Sequence, residues 1–328
     1  MPLPILALPD IPVETIIGQM SFIEQFEFSL ISKRCTRIIQ TFGAFRKAVI
    51  DVTVQANKRI VLEEGGEELM EFSMSNEPMD WCEPEDYESR MIEGVRVGMK
   101  KQDDRWLMFI PGPESSIHKL PLSSLFSHVT RLLRTPTIRN FTLDFDETQP
   151  SLRRFYLSLT RVENLNILSM RNRAHNTVLT HFKKNVEVSN RFTVNLRHRK
   201  DKNMQFCGSP MKTKVLIVQN PTQFFGNFFI TNCEQILIEK SGFSGEDFEA
   251  LIYTWHKNTH PHRLKSVAIK EKDESDPPRL EKLYITKSVL QDYSDRDRSE
   301  VDIIITRSDS ATASVIDSPK HFSFWAFS

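Results

Sequence analysis

Apolar positions in the first 45 residues fall at helical spacing in three short bursts, each bounded by a residue that starts or stops a helix. In the first, Val13, Ile16, Ile17 and Met20 share one face, and Pro12 suits an opening turn, where its missing N–H has no partner to lose. Ser21-Phe22-Ile23-Glu24 then has the spacing of a capping box, which predicts a second helix running to about Leu30. Its apolar residues Phe22, Ile23, Phe26, Phe28, Leu30 and Ile31 wrap more than one face, so this helix is expected to be clasped by its neighbours with apolar surface left over. Ser32 caps a third helix, with Cys35, Ile38, Ile39 and Phe42 turned inward and Lys33, Arg34 and Arg37 outward. Three helices this short bury too little area to be secure alone, which predicts a module completed by a partner.

The period then changes from 3.6 to 2. Residues 48–55, 58–64 and 68–75 alternate like half-buried strands, with Gly65-Gly66 as a turn between the last two, so an antiparallel meander is expected. Residues 76–88 are acidic and broken by Pro78 and Pro84, which reads as an exposed loop before strands at 94–100 and 105–111. A helix follows over about 122–133. Short apolar strands then recur near Phe141, Leu165, Phe192, Leu216, Ile236, Val267 and Leu283, mostly at gaps of about 20 to 30 residues, the range of leucine-rich-type repeats. The segments between them, 150–159, 177–184 and 244–258, are helix-like. In the last, Ser244 is a cap and Phe248, Leu251, Ile252 and Trp255 form an inner face. Each strand-plus-helix unit leaves an apolar face that only its neighbours can cover, which drives stacking. No strict LxxLxLxxN consensus is present, so the repeat is degenerate. Residues 271–279 read as a charged linker. The Ser-, Asp- and Arg-rich tail is expected to be mobile in part, with its aromatic end 321–327 either packed back on the array or free.

Composition narrows the functional classes. Lys plus Arg and Asp plus Glu are each 43, so no global field favours nucleic acid or an anionic membrane. The four cysteines, Cys35, Cys82, Cys207 and Cys233, are too far apart for a CxxC clamp or a dense disulfide frame, which fits a reducing compartment. The opening 12 residues hold four prolines and no basic segment, and no later stretch approaches the roughly 18 to 20 apolar residues needed to cross a bilayer. A cytoplasmic or nuclear location is expected, with no membrane partner.

Candidate chemistry is sparse. His256, His260 and His262 are the one cluster resembling metal ligands, but no acid or cysteine completes the set and Pro261 interrupts it, so no metal is expected. Asp144 and Asp146 share a strand side and read as a solvated edge rather than an acid–base pair, and Cys233 reads as a buried strand residue. No GxSxG, phosphate-binding glycine loop or HExxH is present, which predicts a non-catalytic protein without cofactors. The basic runs 197–202 and 182–185 lack aromatic interleaving, so nucleic-acid binding is not expected, and the aromatics of 224–229 read as core or a recognition patch.

The N-terminal 45 residues resemble an F-box. The resemblance is carried by Leu8-Pro9, Pro12, the apolar Ile16, Ile17 and Met20, the positions Phe26 and Leu30, and Ile31-Ser32-Lys33 ahead of a basic third helix. Cys35-Thr36 departs from the tryptophan that many members carry there. Residues 230–270 resemble the F-box-associated domain of large nematode F-box families, through Asn232-Cys233, Trp255, and Pro261 with Leu264. The resemblance implies a small three-helix F-box over 1–45, an antiparallel β segment over 46–115, an α/β repeat-like domain over 116–290 with a degenerate leucine-rich-like array, and a partly mobile tail over 291–328. The fold class is thus mixed, α+β with α/β. It further implies the substrate-recognition subunit of a Skp-cullin-F-box ubiquitin ligase. Leu8, Pro9, Ile11, Pro12, Ile16, Ile17, Met20, Phe26, Leu30, Ile31, Ser32 and Lys33 would meet a Skp-type adaptor, and through it a cullin, while the C-terminal domain takes a protein target. The alternative is an interaction module with no ligase role.

Overall fold

The structure is a computed structural model that describes residues 9–55, 58–74, 88–102, 105–109, 121–133, 137–144, 159–168, 180–182, 184–195, 213–219, 233–239, 252–253, 255, 264–270, 285–286, 301–306, 312–317 and 321–327. Helices accompany an extensive mixed β-sheet, so the fold is mixed α/β. The chain divides into two compact units, residues 1–143 with 147–162, and residues 144–146 with 163–328.

The first unit opens with α1 (Asp10–Gln19), α2 (Phe22–Ile31) and α3 (Lys33–Phe42). The capping box forms as the spacing predicts: Glu24 N donates to Ser21 Oγ at 3.3 Å, and Ser21 N donates to Glu24 Oε2 at 2.7 Å. Ser32 Oγ accepts from Cys35 N at 3.1 Å and so starts α3. Gly43 closes α3 because nothing larger fits, as a Cβ there would lie 2.5 Å from Ile39 O.

The sheet of this unit comprises β1 (Val49–Val54), β2 (Lys58–Glu64), β3 (Glu67–Met74), β4 (Glu88–Ile92), β5 (Val95–Gln102), β6 (Arg105–Phe109) and β7 (Thr137–Asp144), in the order β7-β1-β2-β3-β6-β5-β4. β1, β2 and β3 form the expected antiparallel meander. β7 joins β1 in parallel with a bulge at Ile50/Asp51, which places Arg139 against Asp51. β4 was not apparent in the sequence; it pairs antiparallel with β5 across a turn in which Glu93 and Gly94 take φ of 49° and 77°. Inward residues Ile50, Val52, Ile60, Leu62, Met70 and Phe72 line one face of this sheet, and all are buried. α4 (Pro121–Leu132) buries Leu122, Leu125, Val129 and Leu132.

In the second unit β8 (Arg161–Leu168), β9 (Glu187–Asn195), β10 (Val215–Gln219), β11 (Gln235–Glu239) and β12 (Ser266–Lys270) follow one another in space as they do in sequence. β9 through β12 are parallel, as strands joined by crossovers must be. One burial pattern recurs: Val162, Leu165 and Ile167; Val188, Phe192 and Val194; Thr213, Leu216 and Val218; Cys233, Ile236 and Ile238; and Leu264 with Val267. The spacing is i, i+3, i+5, with one extra residue in β9. Two first positions are held by Thr213 and Cys233 instead of a large aliphatic residue, which hides the period from a reading of apolar residues alone. Thr213 meets its hydroxyl's needs there by donating to Asn190 O at 3.0 Å.

Beyond β12 the described part of the tail is extended. It supplies β14 (Val301–Thr306), β15 (Thr312–Asp317) and β16 (His321–Phe327), preceded by the two-residue β13 (Ile285–Thr286). β16 pairs antiparallel with β12, and β15, β14 and β13 follow outward as antiparallel neighbours. The aromatic end therefore packs back: Phe324 is buried and meets the Trp255 ring edge to face at 5.1 Å. Ile252 and Trp255, two of the expected inner-face residues of the 244–258 helix, are buried, while Tyr253 is exposed. Most of that helix and the strand expected near Leu283 lie outside the described residues.

Candidate docking surface

The helices of the first unit sort the predicted adaptor-facing residues into two groups. Ile11 is 78% exposed and Ile31 71%, the two most exposed large apolar side chains among the described residues. Pro9, Pro12 and Lys33 are also exposed, and Ile16, Met20, Leu30 and Ser32 are half-buried. Ile17 and Phe26 differ from the expectation, for both are 0% exposed and belong to the unit's own core. Phe26 lies 4.9 Å from the Phe72 ring on β3 and edge-on to His128 of α4 at 5.7 Å. The reason is that α2 has a face for β3 and α4 as well as faces for α1 and α3, so the surplus apolar surface is used partly inside the chain. Leu8 lies outside the described residues.

Buried polar groups hold the helices in place. Gln25, 2% exposed, donates through Nε2 to Ile17 O at 3.2 Å and to Met20 O at 2.9 Å, and accepts from Ala44 N at 2.9 Å. It thereby ties the end of α1 to the segment after α3. Thr36 Oγ1 donates to Ser29 O at 2.8 Å, with Ser32 O also in reach at 3.1 Å. Cys35 beside it is buried.

A Ser–His–carboxylate constellation, invisible in the sequence, sits at the seat of α2. Ser29 Oγ is 2.8 Å from His128 Nε2, and His128 Nδ1 is 3.4 Å from Glu93 Oε1. Glu93 is in turn held by Arg131 through two contacts of 2.6 and 3.0 Å. Geometrically this is the order nucleophile, base and orienting acid. Ser29 and His128 are buried, however, and Ser29 Oγ lies 2.5 Å from Phe26 O, so its proton is given to the helix backbone. The arrangement can tie elements together; it does not present a hydroxyl to a substrate.

The second unit presents the face of β9–β12 opposite the buried residues. Register places Thr193, Ile217, Leu237 and Ala268 in one row across these strands, with Val215 and Gln235 in the next. All are half-buried except the exposed Gln235, and Trp325 of β16, 47% exposed, is in register with Ser266 beside them. Gln219 donates to Glu239 at 2.8 Å along one margin. Of the residues weighed for chemistry, Asp144 ends β7 half-buried and Cys233 is buried as expected. Asp146, His256, His260, His262 and 224–229 lie outside the described residues, as do Pro261 and Asn232. Among the described residues no helix is long and apolar enough to cross a membrane. No protein-family model matches the chain, and neither a curated protein nor a solved structure matches it.

Proposed function

We propose that the chain is a non-catalytic substrate receptor of a Skp-cullin-F-box ubiquitin ligase, its α1–α2 surface docking a Skp-type adaptor and the second unit holding a protein target. The observation that carries this reading is the division of labour in α1 and α2. Ile17 and Phe26 anchor the helices inward while Ile11, Pro12, Ile31 and Lys33 are left in solvent. Exposed large aliphatic residues on a small helical module are what an interface can use. The recurring i, i+3, i+5 burial of β8–β12 supports a leucine-rich-like array, an architecture that displays one broad binding face. Such a receptor acts by proximity, raising the effective concentration of a target lysine at a charged conjugating enzyme, and supplies no acid, base or nucleophile itself.

A second reading, an interaction module with no ligase role, draws support from the anchoring of α2 on β3 and α4, which completes the helices within their own unit. Capture tests separate the two. Full-length protein should retain a Skp-type adaptor and a cullin, and Ile11→Asp with Ile31→Asp should lose both. Failure of the unaltered chain to capture an adaptor supports the second reading.

A further inference from the structure

Five polar residues run from the interior of the first unit to its surface, from the buried Thr36 of α3, Ser29 of α2 and His128 of α4 to Arg131 of α4 and Glu93 of the β4–β5 turn, both exposed. Thr36 donates to Ser29 O, Ser29 Oγ meets His128 Nε2, His128 Nδ1 faces Glu93, and Arg131 closes on Glu93 from the surface. Ser29 and His128 are separated by 99 positions, and His128 and Glu93 by 35. The cluster therefore exists only while α2 is seated on α4 and the turn.

Its protons can be placed. A hydroxyl has one proton, and the 2.5 Å contact commits that of Ser29 to Phe26 O, so Ser29 Oγ accepts from His128 and Nε2 carries the ring proton. Nδ1 then turns its lone pair toward Glu93, whose charge Arg131 already meets at two points. The titratable and charged groups facing the ring, among the described residues, are Glu93 of the turn and Arg131 of α4. α2 presents only Ser29 and Phe26, α3 reaches α4 through the neutral Gln40, which donates to Arg131 O, and β3 contributes Phe72 against Phe26.

We propose that this cluster is an acid-released latch, in which a neutral His128 seats α2 and α3 on α4 and the β4–β5 turn and its protonation unseats them. A proton arriving at Nδ1 creates a cation that is 4% exposed and edge-on to Phe26, with the Arg131 cation nearby on the same Glu93 carboxylate. Burial is the largest influence on the imidazole and holds its pKa below the usual 6.5; the Glu93 contact, long at 3.4 Å, offsets this in part. The sign follows. The unfolded chain takes up this proton near pH 6.5 while the folded chain resists it, so the latch contributes fully above that pH and is lost as pH falls toward the lower folded value. The latch stands apart from what the helices dock.

The test is thermal unfolding of the full chain at pH 7.5 and 5.0, alongside His128→Gln, whose side chain keeps a donor and never titrates. The unaltered chain should lose about 3 °C more than the variant on acidification, and amides of α2 should exchange faster at pH 5.0 than at 7.5 relative to those of β1. Equal losses in the two proteins would overturn the latch. Should the variant not fold, titration of the His128 ring followed by NMR in the unaltered chain decides: a midpoint below that of a free histidine supports it, and one above refutes it.

Discussion

Replacing Phe26 with alanine separates core from docking surface most sharply. Phe26 belongs to the apolar set that a docking face was expected to use, yet it is 0% exposed, against Phe72 at 4.9 Å and His128 at 5.7 Å. Truncating a fully buried phenylalanine removes its transfer free energy and leaves a cavity, together about 3–5 kcal/mol. For a unit of this size, each kcal/mol moves the midpoint by about 2–4 °C, so the transition of the first unit should fall by roughly 6–20 °C. The paired change Ile31→Ala, at a side chain 71% exposed, should leave stability within about 0.5 kcal/mol. Urea unfolding followed by circular dichroism measures both, and an unchanged slope confirms that the change lies in stability. A loss below about 1 kcal/mol for Phe26→Ala would refute the placement of this ring between α2, β3 and α4. A large loss for Ile31→Ala would equally refute its assignment to the surface.

Other outcomes follow from single contacts. Gln25→Leu keeps the volume but strips a partner from Met20 O and Ala44 N and the second of two donors from Ile17 O, and should cost about 1–3 kcal/mol in urea unfolding. Gly43→Ala places a Cβ 2.5 Å from Ile39 O and 2.9 Å from Gln25 Oε1; the backbone must shift, and a loss of about 1–3 kcal/mol is expected by the same assay. Phe324→Ala empties the seat beneath Trp255 and should lower the transition of the second unit by several °C, and limited proteolysis should then cut within 321–327 faster than in the unaltered chain.

Local physics made much of the fold readable. α2 and α3 announce themselves because Ser21, Glu24 and Ser32 satisfy backbone groups within four residues, and such signals do not depend on the rest of the chain; α1, which has no side-chain cap, shows through its apolar spacing. The meander and the parallel strands β9–β12 show as period-two runs. β4 was missed because Glu88-Ser89-Arg90-Met91-Ile92 has no clean alternation and owes its pairing to the turn formed by Glu93 and Gly94. One five-residue strand was legible in the tail; the others were hidden by Ser- and Asp-rich composition, and they exist through ladders to β12 and to one another. The Ser29–His128–Glu93 cluster had no local signal, since it is assembled by residues tens of positions apart. The burial of Phe26 was illegible for a related reason: helical periodicity gives the faces of α2 but not which of them the chain's own sheet will cover.

The most direct test of the account is calorimetric titration of the purified full chain with a Skp-type adaptor, repeated with Ile11→Asp and Ile31→Asp combined. A receptor of this kind should bind the adaptor, and the double variant should lose at least tenfold in affinity, about 1.4 kcal/mol, with its thermal midpoint unchanged. No binding by the unaltered chain, or equal binding by the variant, would contradict the assignment of α1 and α2 as a docking face.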